Sequence, residues 1–263
     1  MSSQNMIYTV LDRPEVSGVI FYPRQEDDRS PDEKDHLIPV APGIHVGARF
    51  HMAAADSPNL LFFHGNGEIV ADYEELSPIY NRLGISFLPV DYRGYGRSGG
   101  QPTVGSMMAD SHVVLDYVQR WLANNGFTGP LVVMGRSLGS ACALELAAAH
   151  AGEIDGLVIE SGFAHAEPLL RLLGVAVDRI GFKEELGFRN IDKIRLFDGP
   201  TLVIHAQYDN IIPFTDGRDL FDASRSTQKN LLRIEGADHN SIFYVGFETY
   251  LQGMQGFVAS LRR

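Results

Sequence analysis

The sequence predicts an α/β protein built on a mostly parallel, doubly wound sheet with helices on both faces. Three observations lead there. Short apolar runs recur along the chain, and they are continuous rather than alternating. A strand that is apolar on both sides must be covered on both faces, as in a parallel sheet under helices. Between the runs, apolar residues fall three to four apart, the period of a helix that packs along one stripe. The two patterns also alternate along the chain, which is the order that winds a sheet doubly.

The elements follow in chain order. Residues 16–24 form an N-terminal piece. Residues 24–36 (RQEDDRSPDEKDH) hold six acids and three bases around a proline. They read as a solvated surface loop, with an acidic partner-binding patch as the other reading. Residues 44–52 alternate loosely and predict an antiparallel or edge strand. Apolar runs at 60–64, 85–90, 131–134, 157–159, 201–205 and 230–234 predict buried strands. Met108, Leu115, Val118 and Leu122 share one helix face, and Asn125 with Gly126 stops that helix. Phe247, Tyr250, Met254, Phe257 and Leu261 draw the stripe of a last helix.

Length and composition narrow the function. At 263 residues, one domain over residues 1–263 is expected. Hydrophobic residues are 44% and charged residues 21%, so the chain has apolar area to bury and is not disordered as a whole. Its 22 basic against 33 acidic residues leave no basic footprint, which excludes a general nucleic-acid binder. The single cysteine, Cys142, forms no internal disulfide, so a reducing, cytoplasmic setting fits. Residues 1–11 have no basic leader and no long apolar run, so no secretory signal is expected. Ser2 stands where N-myristoylation needs glycine. No stretch approaches 18 apolar residues, so neither a spanning helix nor a stable membrane anchor is expected.

In doubly wound sheets, ligands bind beyond the carboxyl ends of the strands, so the residues that follow the apolar runs matter most. After residues 131–134 comes Gly135-Arg136-Ser137-Leu138-Gly139, then an alanine-rich helix. A nucleophile on a tight strand-to-helix turn takes a strained backbone conformation. Small residues two positions to either side keep the strand and the helix from colliding. Ser137 is therefore the candidate nucleophile, with a helix N-cap as the plain alternative. A serine of ordinary pKa needs a base, and the base needs an orienting acid. Asp209 follows the run at 201–205, and His239 follows the run at 230–234, in the order serine, acid, histidine. Glu160, at another strand end, is the rival acid. Asp238 is too close in sequence to face the ring. His205 reads as a packed strand histidine, and His64 as a residue that shapes the loop after its strand.

Acyl transfer also needs amide donors for the oxyanion. His64-Gly65-Asn66-Gly67-Glu68 follows a buried strand, and its glycines let backbone approach a substrate closely. The amides of Asn66 and Leu138 are the expected pair. No lysine follows that loop and no G-x-G-x-x-G occurs, so it is not a phosphate cradle. There is no H-E-x-x-H, cysteine pair or Asp-rich loop, so no metal and no cofactor are expected. Cys142 reads as a small core residue.

HGNGE at 64–68, DYRGYGRSGG at 91–100, GRSLGS at 135–140, HAQYDNIIP at 205–213 and GADHN at 236–240 together resemble the α/β-hydrolase superfamily, over about residues 44–261. The combination is most similar to the ABHD-type, Bem-like branch of serine hydrolases, some of which are protein depalmitoylases. The resemblance implies the α/β-hydrolase fold with a short helical lid after the sixth strand, about residues 162–198. It implies Ser137 as nucleophile, Asp209 as acid, His239 as base, and the Asn66 and Leu138 amides as oxyanion hole. Ala206 stands where the family commonly shows glycine. The N-terminal cysteine cluster that anchors the depalmitoylases has no counterpart in this sequence. Relatives that open epoxides or remove halides use an aspartate nucleophile, which Ser137 argues against.

The expected substrate is a small acyl ester or thioester, with an amide as the alternative bond. Within residues 167–182, Leu169, Leu172, Leu173, Ala176 and Ile180 fall on one helical face. That face either packs on the sheet or forms the apolar underside of a lid, where Leu169, Leu172 and Leu173 would line the acyl site. A hydrolase-like scaffold without activity is the remaining alternative. The intact serine, aspartate and histidine set argues against it.

Overall fold

The computed structural model describes residues 8–27 and 29–261. Residues 1–7, which bear on the expectations about a leader and myristoylation, lie outside the described residues. The chain forms two compact units, Met1–Leu131 and Val132–Arg263.

The first unit opens with α1 (Pro14–Ile20), whose proline sits where a helix tolerates it, in the first turn. A hairpin of β1 (Asp35–Ala41) and β2 (Ile44–Arg49) follows, turned by Gly43 at φ +71°. Then come β3 (Asn59–Phe63), α2 (Ser77–Arg82), β4 (Ser86–Val90) and α3 (Val104–Asn124). β3 and β4 pair in parallel, and β2 pairs antiparallel with both β4 and β1. Every residue of β3 and β4 is buried, as their continuous apolar runs require. α3 begins where the Thr103 hydroxyl accepts the Ser106 amide, and Gly126 at φ +76° follows its end.

β1 is the strand that periodicity misses. It contains Asp35, His36 and Pro39, and of its seven residues only Ile38 is buried. Charge holds it in place of apolar burial. The Asp35 carboxylate accepts from Arg29, at 2.5 and 2.8 Å, and from Arg97 at 3.2 Å. These contacts also show what the charged residues before it do: they fold the 24–36 segment onto the hairpin. β2 is therefore not an edge, since β1 covers it on one side. A proline is tolerated in β1 because its ladder is with β2 alone among the described residues.

The second unit holds β5 (Leu131–Arg136, entering at the unit boundary), α4 (Ser140–Ala149), β6 (Gly156–Glu160), α5 (Ala166–Leu172), α6 (Val177–Ile180), α7 (Asn190–Ile194), β7 (Thr201–Ala206), α8 (Phe214–Ala223), β8 (Lys229–Ile234), α9 (Ile242–Val245) and α10 (Phe247–Ser260). β5, β6, β7 and β8 pair in that order, all parallel. α4 is mostly apolar and buried, with Ala141, Cys142, Ala143, Leu144 and Leu146 fully covered, and its one charged residue, Glu145, pairs with Lys193 at 2.7 Å. Cys142 is thus a core residue, as its surroundings in the sequence suggest.

The apolar face expected across 167–182 is not one helix. α5 stops in a Schellman motif: the Gly174 amide donates to Arg171 and the Val175 amide to Leu170, with Gly174 at φ +83°. Val175 and Leu170, joined by the second of these bonds, are both buried, and α5 packs through Ala166 and Leu170. The Leu169, Leu172, Leu173, Ala176 and Ile180 stripe is therefore broken and lies off the buried face. Leu172 is 58% exposed, and Leu169 and Leu173 are half-buried.

Candidate active site

The turn after β5 explains its own spacing. Ser137 has φ +51°, in the left-handed region where a non-glycine residue is strained. A Cβ on Gly135 would stand 2.2 Å from the Gly139 carbonyl oxygen, so glycine at 135 is needed for strand and helix to pass. The Ser140 hydroxyl donates to the Ser137 carbonyl at 2.6 Å and pins the turn from inside. Residues Ser137–Gly139 make one 3₁₀ turn that leads directly into α4, and this places the Leu138 amide at the head of the helix.

Two further strand ends meet this turn. The Ser137 hydroxyl donates to His239 Nε2 at 3.0 Å, and His239 Nδ1 donates to Asp209 Oδ2 at 2.7 Å. The carboxylate can only accept, so Nδ1 carries the proton and Nε2 offers its lone pair to the hydroxyl. All three residues are largely buried. The loop after β7 prepares the acid. Asp209 Oδ1 accepts the Ile211 amide at 3.0 Å and the Ile212 amide at 2.8 Å. Burial pushes the Asp209 carboxyl up, but the His239 hydrogen bond and charge, with the two amides, hold it below its ordinary value. His205 lies beneath. Its Nε2 donates to the Ile212 carbonyl at 2.8 Å and stands 3.5 Å from Asp209 Oδ2. Burial keeps the His205 ring neutral by pushing its pKa down. A Cβ on Gly217 of α8 would meet that ring at 2.5 Å, so glycine is what lets α8 close over it.

The rival acids are engaged elsewhere. Glu160 lies 3.1 Å from Arg136 Nε and accepts the Tyr250 hydroxyl at 2.5 Å. Asp238 shapes the turn beside the base, where its Oδ1 accepts from the Asn240 and Ser241 amides and from the Ser241 hydroxyl. His64 acts in its loop as expected. Its Nδ1 donates to the Gly65 carbonyl at 2.8 Å, and its Nε2 is 3.2 Å from Asp91. Asn66, in the first unit, has its side-chain oxygen tied to the Tyr22 amide and the Tyr95 hydroxyl, which fixes the loop backbone. The Asn66 amide itself makes no hydrogen bond among the described residues.

Sequence reasoning missed five contributors: Arg136, Ser140, the amides of Ile211 and Ile212, and Tyr250. Arg136 was in view as the variable residue of the turn motif. Nothing in a spacing pattern shows which way a variable side chain points. Among the described residues no cluster of three or more His, Cys, Asp or Glu could hold a metal ion, and no helix is long and apolar enough to cross a membrane.

The four parallel strands of this unit and the serine turn define the class: an α/β-hydrolase. Comparison with known proteins agrees. The esterase Pf2001 of Pyrococcus furiosus superposes with a TM-score of 0.72 at 17% identity, covering 92% of this chain and 99% of that one. A soluble variant of monoglyceride lipase from Saccharomyces cerevisiae, solved with a substrate analog, gives 0.68 at 19% identity, covering 92% and 98%. The family model for serine aminopeptidase, S33, matches residues 56–183. Human α/β-hydrolase domain-containing protein 17B is 30% identical over 221 residues, covering 77% of this chain and 68% of its own length. The chain belongs to the ABHD-type α/β-hydrolases, and it spans about two thirds of the length of the curated relatives it matches.

Proposed function

We propose that the chain is a serine hydrolase that cleaves carboxylic esters or thioesters through an acyl-enzyme on Ser137. The observation behind this reading is the single imidazole that hydrogen-bonds to Asp209 on one nitrogen and Ser137 on the other, with the serine on a strained turn. In this scheme Ser137 Oγ attacks the acyl carbon while its proton passes to His239 Nε2. Asp209 stabilises the imidazolium and keeps its own charge. The tetrahedral oxyanion is met by the Leu138 amide at the head of α4. From the sequence, the second donor is the Asn66 amide. Collapse breaks the bond to the alcohol or thiol, which leaves with the proton from Nε2. Water then attacks the acyl-serine with His239 as base again, which releases the acid and restores the hydroxyl.

Leu169, Leu172 and Leu173 are assigned to the acyl chain. Packing within the unit leaves this face over, with Leu172 mostly exposed, which supports a surface meant to meet a ligand. The description of the matching family model supports an amide as the second bond type. A panel of p-nitrophenyl esters of rising chain length, an acyl thioester and an aminoacyl anilide, run with the native chain and with Ser137→Ala, tests the reading. Ser137-dependent turnover of the esters or the thioester is the expected result. Turnover of the anilide alone would move the assignment to a peptidase.

A further inference from the structure

We propose that Arg136 is a positioning residue for the base: with Glu160 and Tyr250 it forms a buried brace that holds the His239 loop in register with the Ser137 hydroxyl. This rests on the serine-hydrolase reading and adds a residue outside the three that react.

Arg136 is the last residue of β5 and directly precedes Ser137, so the elbow that strains the serine also fixes the arginine backbone. Its Nη2 donates to the His239 backbone carbonyl at 3.0 Å. Its Nε lies 3.1 Å from Glu160 Oε1, and Glu160 is its register partner at the end of β6. Tyr250 of α10 donates its hydroxyl to the other Glu160 oxygen at 2.5 Å. The tie thus joins β5, β6, α10 and the loop after β8 through three side chains that are all nearly covered. Such a buried pair works as a unit, because removing one member strands the other's charge. One residue consequently links the backbone of the nucleophile to the backbone of the base. A displacement of about 1 Å between reacting groups costs on the order of 10²-fold in rate.

The brace also sets the charge around the base. His239 faces Asp209 at Nδ1, with His205 behind that carboxylate and Asp238 next to it in the chain. The Arg136–Glu160 pair lies on the side of the His239 carbonyl, and its two charges cancel. Arg136→Met leaves the Glu160 carboxylate, which favours the imidazolium and moves the acid limb of the kcat/KM profile to higher pH. Glu160→Gln leaves the guanidinium and moves that limb to lower pH. The double variant restores neutrality but not the tether, so the limb returns while kcat stays low. The opposite shifts report that both charges lie near the base, and the kcat loss that persists in the double variant reports the tether.

The experiment measures kcat, KM and the pH profile of ester hydrolysis for the native chain and these three variants. Tyr250→Phe and Ser137→Ala are run beside them, and each protein is checked for fold by circular dichroism and Tm. The expected result is a kcat loss of about 10–100-fold in Arg136→Met with KM nearly unchanged, together with opposite limb shifts in the two single variants. Tyr250→Phe removes one hydroxyl from the brace. It is expected to lower kcat several-fold, and it decides the matter if Arg136→Met does not fold. Full kcat in a folded Arg136→Met or Tyr250→Phe protein, or limb shifts in the same direction, overturns the brace. If the native chain shows no Ser137-dependent turnover, the serine-hydrolase reading fails and the brace with it. If Ser137→Ala abolishes turnover and the brace variants keep it, the brace alone fails.

Discussion

The turn at residues 135–140 and the segment at 161–198 both leave the carboxyl end of a buried strand in the same unit, yet they use their residues differently. In the turn, three positions are each held by a local reason: glycine at 135 stands beside the Gly139 carbonyl, residue 137 sits in the left-handed region, and the serine at 140 is bonded back to 137. In the segment, a helix of seven residues ends early, a glycine reverses the chain, and four leucines close in sequence go to different fates. Leu170 is 2% exposed and Leu172 is 58% exposed. The turn is over-determined by backbone, whereas the segment is set by where a helix happens to stop.

This comparison can be broken in several ways, and the largest effect is expected at the acid. Asp209→Asn removes the charge that supports the imidazolium and leaves an amide that can donate where only an acceptor serves. Turnover should fall by about 10⁴-fold in steady-state kcat. Glu160→Gln should cost far less. The reverse ranking in folded proteins would transfer the orienting role to the brace acid.

Next in size is Gly135→Ala. A methyl group 2.2 Å from a backbone carbonyl cannot be relieved by rotating a side chain. Denaturant unfolding should show a loss of roughly 2–4 kcal/mol, together with loss of activity. An unperturbed midpoint would mean that the turn can relax, contrary to the account of its spacing.

The leucines sharpen the contrast. Leu170→Ala should cost about 2–4 kcal/mol in unfolding free energy, while Leu172→Ala should stay within about 0.5 kcal/mol. Chain-length preference should respond the other way. Leu172→Ala or Leu173→Ala should move the kcat/KM optimum toward longer acyl chains, by up to roughly tenfold per carbon near the limit of the pocket. If all esters slow equally and the optimum stays, these leucines do not meet the acyl chain.

The smallest expected effect is a pH dependence in the first unit. Burial, then the charges of Lys34 and Arg49, hold the His51 pKa down to about 4, against the pull of Asp32 and Asp35. The folded value lies below the unfolded one. The unfolded chain therefore binds the extra proton between about pH 6.5 and pH 4, and stability present above that window is lost as pH falls through it. His36 of the same unit, and His205 of the second unit, also held down by burial, add in the same direction. Asp35, held at about 2, contributes only at lower pH. Replacing His51 with asparagine should flatten the pH dependence of the unfolding free energy by on the order of 2 kcal/mol across the window. An unchanged slope would place the acid sensitivity elsewhere.

The sequence was most legible where burial is two-sided or backbone geometry is special. Six of the strands appear as apolar runs and β2 as a loose alternation, and the serine turn and the loops of Asp209 and His239 follow directly from the runs. The run at 230–234, expected to be a buried strand, forms β8, but β8 buries only Ile234. β1 was not legible, because a strand held by Arg29 and Arg97 around Asp35 has no apolar period to show. The helix face at 167–182 was misleading for a related reason. Spacing alone does not reveal that Gly174 would end α5, so it joined leucines that the Schellman turn separates. The support of the site was also hidden, since Arg136, Ile211 and Ile212 act through directions and backbone amides rather than through residue type.

The central claim is that Ser137 is made nucleophilic by His239 and Asp209. The most direct test is to treat the native chain with a fluorophosphonate and map the adduct by peptide mass spectrometry. The account predicts a single stoichiometric adduct on Ser137, absent in Ser137→Ala and strongly slowed in His239→Ala. An adduct on another residue, or native protein that stays unlabelled at pH 7–8, would contradict it.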